Sequence, residues 1–222
     1  MDIDKDFIEK ELSPYHIEDY IEKYGPDEMA RFNVLINKKF YINKKEDRRN
    51  FWITIVLTNG YPEIAPKVFD SSNIIPKNKN NRFHINPDNS LCLTHPIELY
   101  KLYNKNTKLE EFVDKLVIPF YYSFFYYKET QKMPFREYSH GVQGHIEALK
   151  EHFKLSENCG IDKIYNTLNY NKDKLIDFMP ESEVNNLITC IYSHWKKINE
   201  LNLNFQQKYN NKNSLYNIIS KK

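Results

Sequence analysis

Two neighbouring stretches with the periodicity of β-strands, separated by a polar segment, constrain the fold of this chain more than any other feature. In the first stretch apolar residues alternate with polar ones, at Phe32, Val34, Ile36, Phe40 and Ile42. The second stretch, residues 51–57, is β-branched and aromatic, which is typical of a more central strand. Residues 44–50 are polar and predict the turn between the two strands. Together they predict an antiparallel hairpin.

The sequence around the hairpin predicts one more strand and flanking helices. Proline donates no ladder hydrogen bond, so a short strand at Val68–Phe69 can begin only after Pro66. Residues 7–12 have helical apolar spacing, and residues 13–24 predict a second helix that Ser13 caps and a Gly-Pro pair ends. We therefore predict an α+β fold in which an antiparallel meander sheet carries flanking helices.

The second half of the chain is predicted to be helical. Thr107–Glu110 has the pattern of a capping box, and it begins an apolar-striped helix that Pro119 should kink or end. A long helix is predicted to begin after Pro180. We expect a main domain over residues 1–155 and a helical C-terminal extension over residues 156–222, whose deletion should leave the fold of the main domain intact.

The charge balance argues against several classes of partner. The chain has 222 residues and a net charge of +2, from 32 Lys and Arg against 30 Asp and Glu, so no strong field attracts nucleic acid or an anionic membrane. The aromatic run at residues 120–127 lacks interleaved Arg and Lys, which favours a buried core over a base-stacking surface. No apolar run reaches the roughly 18 residues of a membrane span, and residues 1–6 do not resemble a signal peptide. We expect a cytoplasmic protein that binds neither nucleic acid nor membrane.

The cysteine pattern favours a single working thiol over a disulfide or a metal site. Three cysteines without a C-x-x-C pair fit neither a disulfide framework nor a zinc ribbon. A zinc site built from His84, Cys92, His95 and His140 has no recognisable ligand spacing, so we predict no metal.

A long irregular segment before the first of these cysteines indicates where a site lies. Residues 70–91 have almost no periodic signal, and such loops inside compact domains tend to be functional. The segment ends in the turn-forming run Pro87-Asp88-Asn89-Ser90, followed by Cys92 between two leucines. His84 and His95 stand on either side. The pattern predicts a thiol presented on a tethered loop; the alternative is that Cys92 is a small buried hydrophobe.

The order of the predicted elements and the motifs between them together resemble those of ubiquitin-conjugating enzymes. The features that carry the resemblance are a helical start, the meander, Tyr61-Pro62 with Pro66, the long loop, His84-x-Asn86 and Leu91-Cys92-Leu93, followed by Tyr138-Ser139-His140-Gly141 and Gly144. The pattern is most similar to the bacterial branch found in ubiquitin-like and anti-phage defence operons, including those with a cGAS-like nucleotidyltransferase. Asn89 stands where that branch usually has glycine, and asparagine also tolerates a positive φ. The resemblance covers residues 1–155.

The resemblance implies that Cys92 carries a protein C-terminus as a thioester and passes it to an amine. Asn86 is then either a donor to the developing oxyanion or a brace of the loop. His84 either orders the loop through backbone hydrogen bonds or takes part in catalysis, and His140 either has a role at the site or caps a helix.

The same resemblance implies binding residues and partners. Asp88 and His95 are assigned to binding, where Asp88 either forms the turn or orients the incoming amine. The expected partners are a ubiquitin-like protein, or the C-terminus of a cGAS-like nucleotidyltransferase, with an activating enzyme as a further candidate. No cofactor is implied.

Two other functions stay open. A thiol hydrolase would need a histidine against the Cys92 sulfur and a third group that orients it. A binding module of the same fold would keep a thiol that never turns over.

Overall fold

The computed structural model describes residues 3–22, 25–77, 83, 85–135, 138–139 and 141–219, and from residue 203 on it describes the backbone alone. The chain forms two compact units. The first is Met1–Glu137 with Phe178–Pro180, and the second is Tyr138–Asp177 with Glu181–Lys222. The predicted boundary after Leu155 stays a prediction.

The first unit is built on a four-stranded antiparallel sheet. Its strands are β1 (His16–Glu22), β2 (Glu28–Ile42), β3 (Lys45–Thr58) and β4 (Lys67–Asp70). They lie side by side in the order β1-β2-β3-β4, so each strand pairs with the next one along the chain. This confirms the predicted α+β class with an antiparallel meander sheet.

The hairpin of β2 and β3 is longer than predicted. The ladder runs from the pair Glu28–Thr58 to the pair Ile42–Lys45. The turn consists only of Asn43 and Lys44, both with positive φ, at 51° and 64°. The prediction of a turn over residues 44–50 was therefore wrong. Polar residues there extend β3 instead, because a two-residue turn with two positive φ angles matches the twist of paired strands.

Helix α4 covers the apolar face of the sheet. Side chains that alternate along β2 and β3 are buried on this face, among them Phe32, Val34, Ile36, Phe51, Ile53 and Ile55. The ring of Tyr121 on α4 (Ile118–Thr130) lies 4.1 Å from that of Phe51. Tyr121 also donates a hydrogen bond to buried Asp70 at the end of β4, which ties α4 to the edge strand.

The segment predicted as a second helix is strand β1, so that prediction was wrong. Its ladder with β2 shifts register between Glu18 and Ile21, and Asp19 has a φ of 51°. This bulge inserts an extra residue, so the half-buried Ile17 and Tyr20 stand three positions apart. Three-residue spacing of apolar side chains is also the spacing of a helix face, and the sequence pattern could not separate the two.

The remaining helices of the first unit lie before and after the sheet. They are α1 (Lys5–Glu11), α2 (Pro96–Leu102) and α3 (Leu109–Phe112), and a π-helical segment, Val113–Val117, joins α3 to α4. Pro119 lies in the first turn of α4, and because the residues before it are also helical, the N–H that proline lacks interrupts the hydrogen bonds of a continuous helix. The predicted irregularity near Pro119 thus takes the form of the π-helical segment directly before α4.

The predicted capping box at Thr107–Glu110 does not form. Lys108 is the cap residue of α3 and makes no side-chain cap hydrogen bond. The hydroxyl of Thr107 accepts a hydrogen bond from the N–H of Asn104 instead, at 2.9 Å. The N–H of Leu109 donates to the carboxylate of Glu11 in α1, at 3.1 Å, so a distant residue caps this helix.

The second unit is helical. It consists of α5 (Gly141–His152), α6 (Ile161–Tyr170), α7 (Lys172–Ile176) and α8 (Glu181–Ile219). The long helix predicted after Pro180 is confirmed as α8. In the described part of the chain, none of the helices combines the length and the hydropathy that crossing a bilayer requires.

Candidate functional site

The loop that carries Cys92 is fixed against the edge strand of the sheet. The N–H of Leu91 donates to the carbonyl of Val68 in β4, at 2.7 Å, and Leu91 also forms an antiparallel bridge with Ile85. At the start of the loop, the buried Phe83 ring packs edge-on against Phe124 of α4, with centroids 5.2 Å apart. The loop is therefore anchored to both β4 and α4.

Asn86 and Ser90 close the turn that precedes Cys92. The N–H of Asn86 donates to the carbonyl of Ser90 at 2.8 Å, and the Asn86 amide nitrogen donates to the Ser90 hydroxyl at 3.0 Å. Asn89 has a φ of 67°, the left-handed conformation that asparagine tolerates and that glycine usually adopts. These bonds favour the brace role of Asn86; its oxyanion role stays a prediction.

Asp88 is the centre of a charge-assisted network in the same turn. One carboxylate oxygen accepts from the N–H and the hydroxyl of Ser90, at 3.0 and 2.6 Å. The other oxygen accepts from the ammonium of Lys67 at the start of β4, at 2.7 Å. Partial burial alone would raise the pKa of the Asp88 carboxyl, but the hydrogen bonds from Lys67 and Ser90 outweigh it and lower the pKa to about 2. Asp88 is therefore ionised at neutral pH and ties the turn to the sheet.

The Cys92 thiol is partly buried and makes only a weak contact within the described part of the chain. Its sulfur donates a weak hydrogen bond to the carbonyl of Thr94, at 3.9 Å, and it is not in a disulfide. Among the described residues, burial is the one effect that shifts the thiol, and it raises the pKa of Cys92. The sulfur is therefore held mainly as a neutral thiol at pH 7, partly open to solvent on an anchored loop.

His95 begins the helix that follows the cysteine. Its Nδ1 accepts a hydrogen bond from the N–H of Ile97, at 3.2 Å, which caps α2, and Pro96 occupies the first helical position. One ring nitrogen of this predicted binding residue is thus engaged in the helix start. His84 and His140, the two other predicted histidines, lie outside the described residues.

Lys67 and Ser90 have site roles that the sequence did not indicate. Ser90 is almost fully buried and bonds both Asn86 and Asp88, whereas the sequence suggested only a turn-former. Lys67 reaches Asp88 across 21 positions of sequence, and no local pattern connects two residues so far apart. The one signal available for Lys67 was its place directly after Pro66, at the start of an edge strand, because charged side chains are common on such strands.

The second motif of the resemblance lies in the second unit. Ser139 donates from its N–H and its hydroxyl to the carboxylate of Glu147, at 2.9 and 2.6 Å, and Tyr138 donates to Glu151 at 3.0 Å. Gly144 packs directly beneath the carbonyl of Ser139, where a side chain would overlap it. Residues 138–139 are therefore folded back onto α5, and this close approach requires glycine at position 144.

Metal ligands do not cluster in the described residues. No three His, Cys, Asp or Glu side chains come together there in a way that could hold an ion. Because two of the four histidine and cysteine candidates lie outside those residues, the predicted absence of a metal stays a prediction.

Comparison of the chain with protein-family models, with curated proteins and with solved structures gives no match in any of the three.

Proposed function

We propose that this protein is a ubiquitin-conjugating-like transferase, in which Cys92 accepts the C-terminal carboxyl of another protein as a thioester and passes it to an amine. The carried protein would be a ubiquitin-like protein or a cGAS-like nucleotidyltransferase, in bacterial anti-phage defence. The observation that carries the proposal is a partly exposed thiol directly after a turn that Asp88, Ser90 and Lys67 hold on the sheet edge. The motifs quoted from the sequence and the meander sheet support the same family.

The chemistry needs two acyl transfers. In the first, the Cys92 thiolate attacks the carbonyl of an activated C-terminus, a C–S bond forms, and the activating group leaves with its electron pair. The proton of the thiol passes to solvent or to the leaving group. In the second, an amine attacks the thioester carbonyl, a C–N bond forms, the Cys92 thiolate is expelled, and the amine loses a proton.

The raised pKa of Cys92 suits a carrier better than a hydrolase. A hydrolytic cysteine is normally activated as a thiolate by a neighbouring histidine, which lowers its pKa. Among the described residues, which include neither His84 nor His140, burial alone acts on the Cys92 thiol, and it raises the pKa. A thiolate of higher pKa is also a poorer leaving group, so its thioester survives longer before an amine or water cleaves it. Persistence of the acyl group is what transport between two proteins requires.

A binding module with an inert thiol is the second candidate. The same burial that raises the pKa of Cys92 is also expected of a structural cysteine. A binding module of this kind would bind its partner through the same fold, and replacement of Cys92 by alanine would not affect its activity.

Acyl capture from a synthetic peptide thioester tests the first transfer without a known partner. A peptide thioester that ends in glycine is incubated with the protein, and intact mass is measured before and after dithiothreitol. We expect one reductant-sensitive acyl group that peptide mapping assigns to Cys92 and that Cys92→Ala lacks. Cys159, which is also partly exposed, serves as the internal control thiol. Equal acylation of both thiols, or none at Cys92, would contradict the transferase.

Trapping in the native cell identifies the carried protein. In Cys92→Ser the corresponding adduct is an oxyester, which resists reductant, so the carried protein remains attached and can be identified by mass spectrometry. Release of free peptide acid from the synthetic thioester, without an adduct on the protein, would indicate hydrolysis instead. A partner that co-purifies equally with Cys92→Ala and with the unaltered protein, with no covalent species in either, would support the binding module.

A further inference from the structure

Lys67 and Cys92 lie on two segments that are hydrogen-bonded to each other. Lys67 begins β4, and the carbonyl of the next residue, Val68, accepts a hydrogen bond at 2.7 Å from the N–H of Leu91, which directly precedes Cys92. Neighbouring Cα atoms along a chain are about 3.8 Å apart, and those of hydrogen-bonded strand partners about 5.5 Å. The Cα atoms of Lys67 and Cys92 are therefore at most about 13 Å apart, whichever way the loop runs beside β4.

Both side chains leave the backbone on the solvent side. Val68 and Leu91 are buried, with 1% and 5% of their surface exposed. The backbone is extended at both places, in β4 and in the bridge of Leu91 with Ile85, and successive side chains of an extended chain point to opposite faces. The residues that flank this buried pair, Lys67 and Cys92, therefore point away from the core. The exposure of the two agrees, because Lys67 is exposed and Cys92 is partly exposed.

The Lys67 side chain is long enough to reach an acyl group on Cys92. An extended lysine places its amine about 6 Å from its own Cα, and the carbonyl carbon of a cysteine thioester lies about 4 Å from the Cα of the cysteine. Even at the largest separation of the two Cα atoms, the amine and the carbonyl carbon come within about 3 Å of each other. Attack on a carbonyl begins from a distance of about 3 to 3.5 Å.

Asp88 keeps the Lys67 amine beside the site loop without binding it firmly. The ammonium lies 2.7 Å from the Asp88 carboxylate, and the two side chains are 46% and 42% exposed. Ion pairs as exposed as this one contribute at most about 1 kcal/mol, so the amine separates from Asp88 often. A group held within reach on the same protein has a far higher effective concentration than a lysine in solution. When no other acceptor is bound, the Lys67 amine is therefore well placed to meet a thioester on Cys92.

We propose that Lys67 accepts the acyl group carried on Cys92 and that its acylation limits further transfer, an inference that rests on the transferase function proposed above. The ammonium first gives up a proton to water. The Lys67 nitrogen then attacks the thioester carbonyl, a C–N bond forms, and the nitrogen loses a second proton to solvent. The C–S bond breaks, and the Cys92 sulfur leaves with the electron pair and is protonated by solvent. The products are an amide on Lys67 and a free thiol.

Acylation of Lys67 removes the charge that ties the turn to the sheet. An amide nitrogen carries no positive charge, so the charge-assisted hydrogen bond to Asp88 is lost, whereas the bonds of Asp88 with Ser90 remain. The turn before Cys92 is then held less firmly to β4. In the absence of an external amine, the protein acylates itself once and afterwards captures acyl groups more slowly.

A single-turnover experiment on the full-length chain tests the transfer. A peptide thioester that ends in glycine is loaded onto the protein, the excess is removed by gel filtration, and acylated residues are mapped by mass spectrometry at successive times. We expect the reductant-sensitive acyl group on Cys92 to be replaced by a reductant-resistant amide on Lys67. The rate should not depend on protein concentration, because the transfer occurs within one molecule. Isotope-labelled Cys92→Ala, mixed with the loaded protein, should gain no amide.

Lys39 is the control amine for unspecific acylation. Its side chain is 52% exposed and forms an ion pair with Glu46 at 2.9 Å, so it resembles Lys67 in exposure and in partner. It lies far from the site, because Lys39 pairs with Arg48 and Lys67 with Val56, eight residues away along β3, which corresponds to about 26 Å. We expect at least tenfold less amide on Lys39 than on Lys67.

Lys67→Arg removes the nucleophile and keeps the charge beside Asp88, because the guanidinium stays protonated. The thioester on Cys92 should then decay at least tenfold more slowly than in the unaltered protein. In the unaltered protein, acylation of Lys67 should accelerate hydrogen exchange at the N–H of Leu91 about fivefold.

The possible results separate this inference from the proposed function. A thioester that persists on Cys92 without an amide on Lys67, or equal amide on Lys67 and Lys39, overturns the inference and leaves the transferase standing. Amide on the labelled Cys92→Ala protein at the same rate overturns the intramolecular route. Unchanged exchange at Leu91 after acylation overturns the self-limiting step. Absence of any acyl group on Cys92 refutes the transferase and this inference together.

Discussion

Replacing Asp88 by asparagine tests whether the charged network holds the site loop on the sheet. The substitution keeps the shape of the side chain and an oxygen that can accept from Ser90. It removes the charge that strengthens the hydrogen bonds from Lys67 and from Ser90. A loss of stability therefore reports the charge of Asp88 and not its volume.

The size of the effect follows from the pKa of Asp88 and its exposure. Lowering the pKa of Asp88 from the ordinary 3.8 to about 2 would correspond to about 2.5 kcal/mol of folding stability if solvent did not screen the charge. The side chain is 42% exposed and that of Lys67 46%, so solvent screening reduces this to about 1 kcal/mol. Because the pKa is lower in the folded state, the contribution is complete above about pH 5 and disappears as the pH falls through 2.

Urea denaturation of the two proteins between pH 7 and pH 2 measures the difference. We expect Asp88→Asn to be about 1 kcal/mol less stable at pH 7, with a gap that closes in acid. Lys67→Met and the double variant complete a mutant cycle that separates the ion pair from the bonds to Ser90. Hydrogen exchange at the N–H of Leu91, which bonds to β4, should accelerate about fivefold. A stability gap that stays constant down to pH 2 would refute the reasoning.

Three further changes test other parts of the structure. With the other two cysteines replaced by serine, the rate of alkylation of Cys92 by iodoacetamide is measured against pH. Because burial raises the pKa of Cys92, the midpoint should lie above the ordinary thiol value of about 8.5, and a midpoint below that value would contradict this. Tyr121→Phe removes a buried hydrogen bond to Asp70 and should cost about 1 to 2 kcal/mol in thermal unfolding, whereas no change would mean that the bond is dispensable. Gly144→Ala should cost about 2 to 3 kcal/mol through overlap with the preceding turn. Gly160→Ala meets open space and loses only the preference for glycine at the N-cap of α6, so it should cost at most about 1 kcal/mol; equal effects would disprove the close approach.

The hairpin of β2 and β3 could be predicted because its patterns are local. Alternation along β2 and the apolar character of residues 51–57 are each complete within one element. Strand β1 could not be predicted in the same way, because its bulge at Asp19 changes a two-residue period into a three-residue one. The start of α3 was missed for a different reason, since its cap is Glu11, which is distant in sequence.

The candidate site shows the same division between local and distant signals. The turn residues around Asp88 could be recognised from composition, since short polar side chains and proline favour turns. The contact of Asp88 with Lys67 depends on how β4 lies beside the loop, which no local pattern specifies. Partial burial of Cys92 is likewise a property of the packed chain. The sequence therefore predicts Cys92 as the working thiol, whereas the direction of its pKa shift and the anchoring of its loop required the structure.

The anchoring of the loop and the chemistry proposed for its thiol are separable in this structure. Among the described residues, the strong hydrogen bonds of the turn are made by Asn86, Asp88, Ser90 and Lys67, whereas Cys92 contributes only the weak contact of its sulfur with a carbonyl. Replacing the sulfur by a hydroxyl should therefore leave the loop in place, so that lost acyl capture in Cys92→Ser would reflect chemistry. Replacing Asp88 should move the loop without altering the thiol itself. If both substitutions reduced acyl capture while only Asp88→Asn changed exchange at Leu91, positioning and reactivity would be shown to reside in different residues.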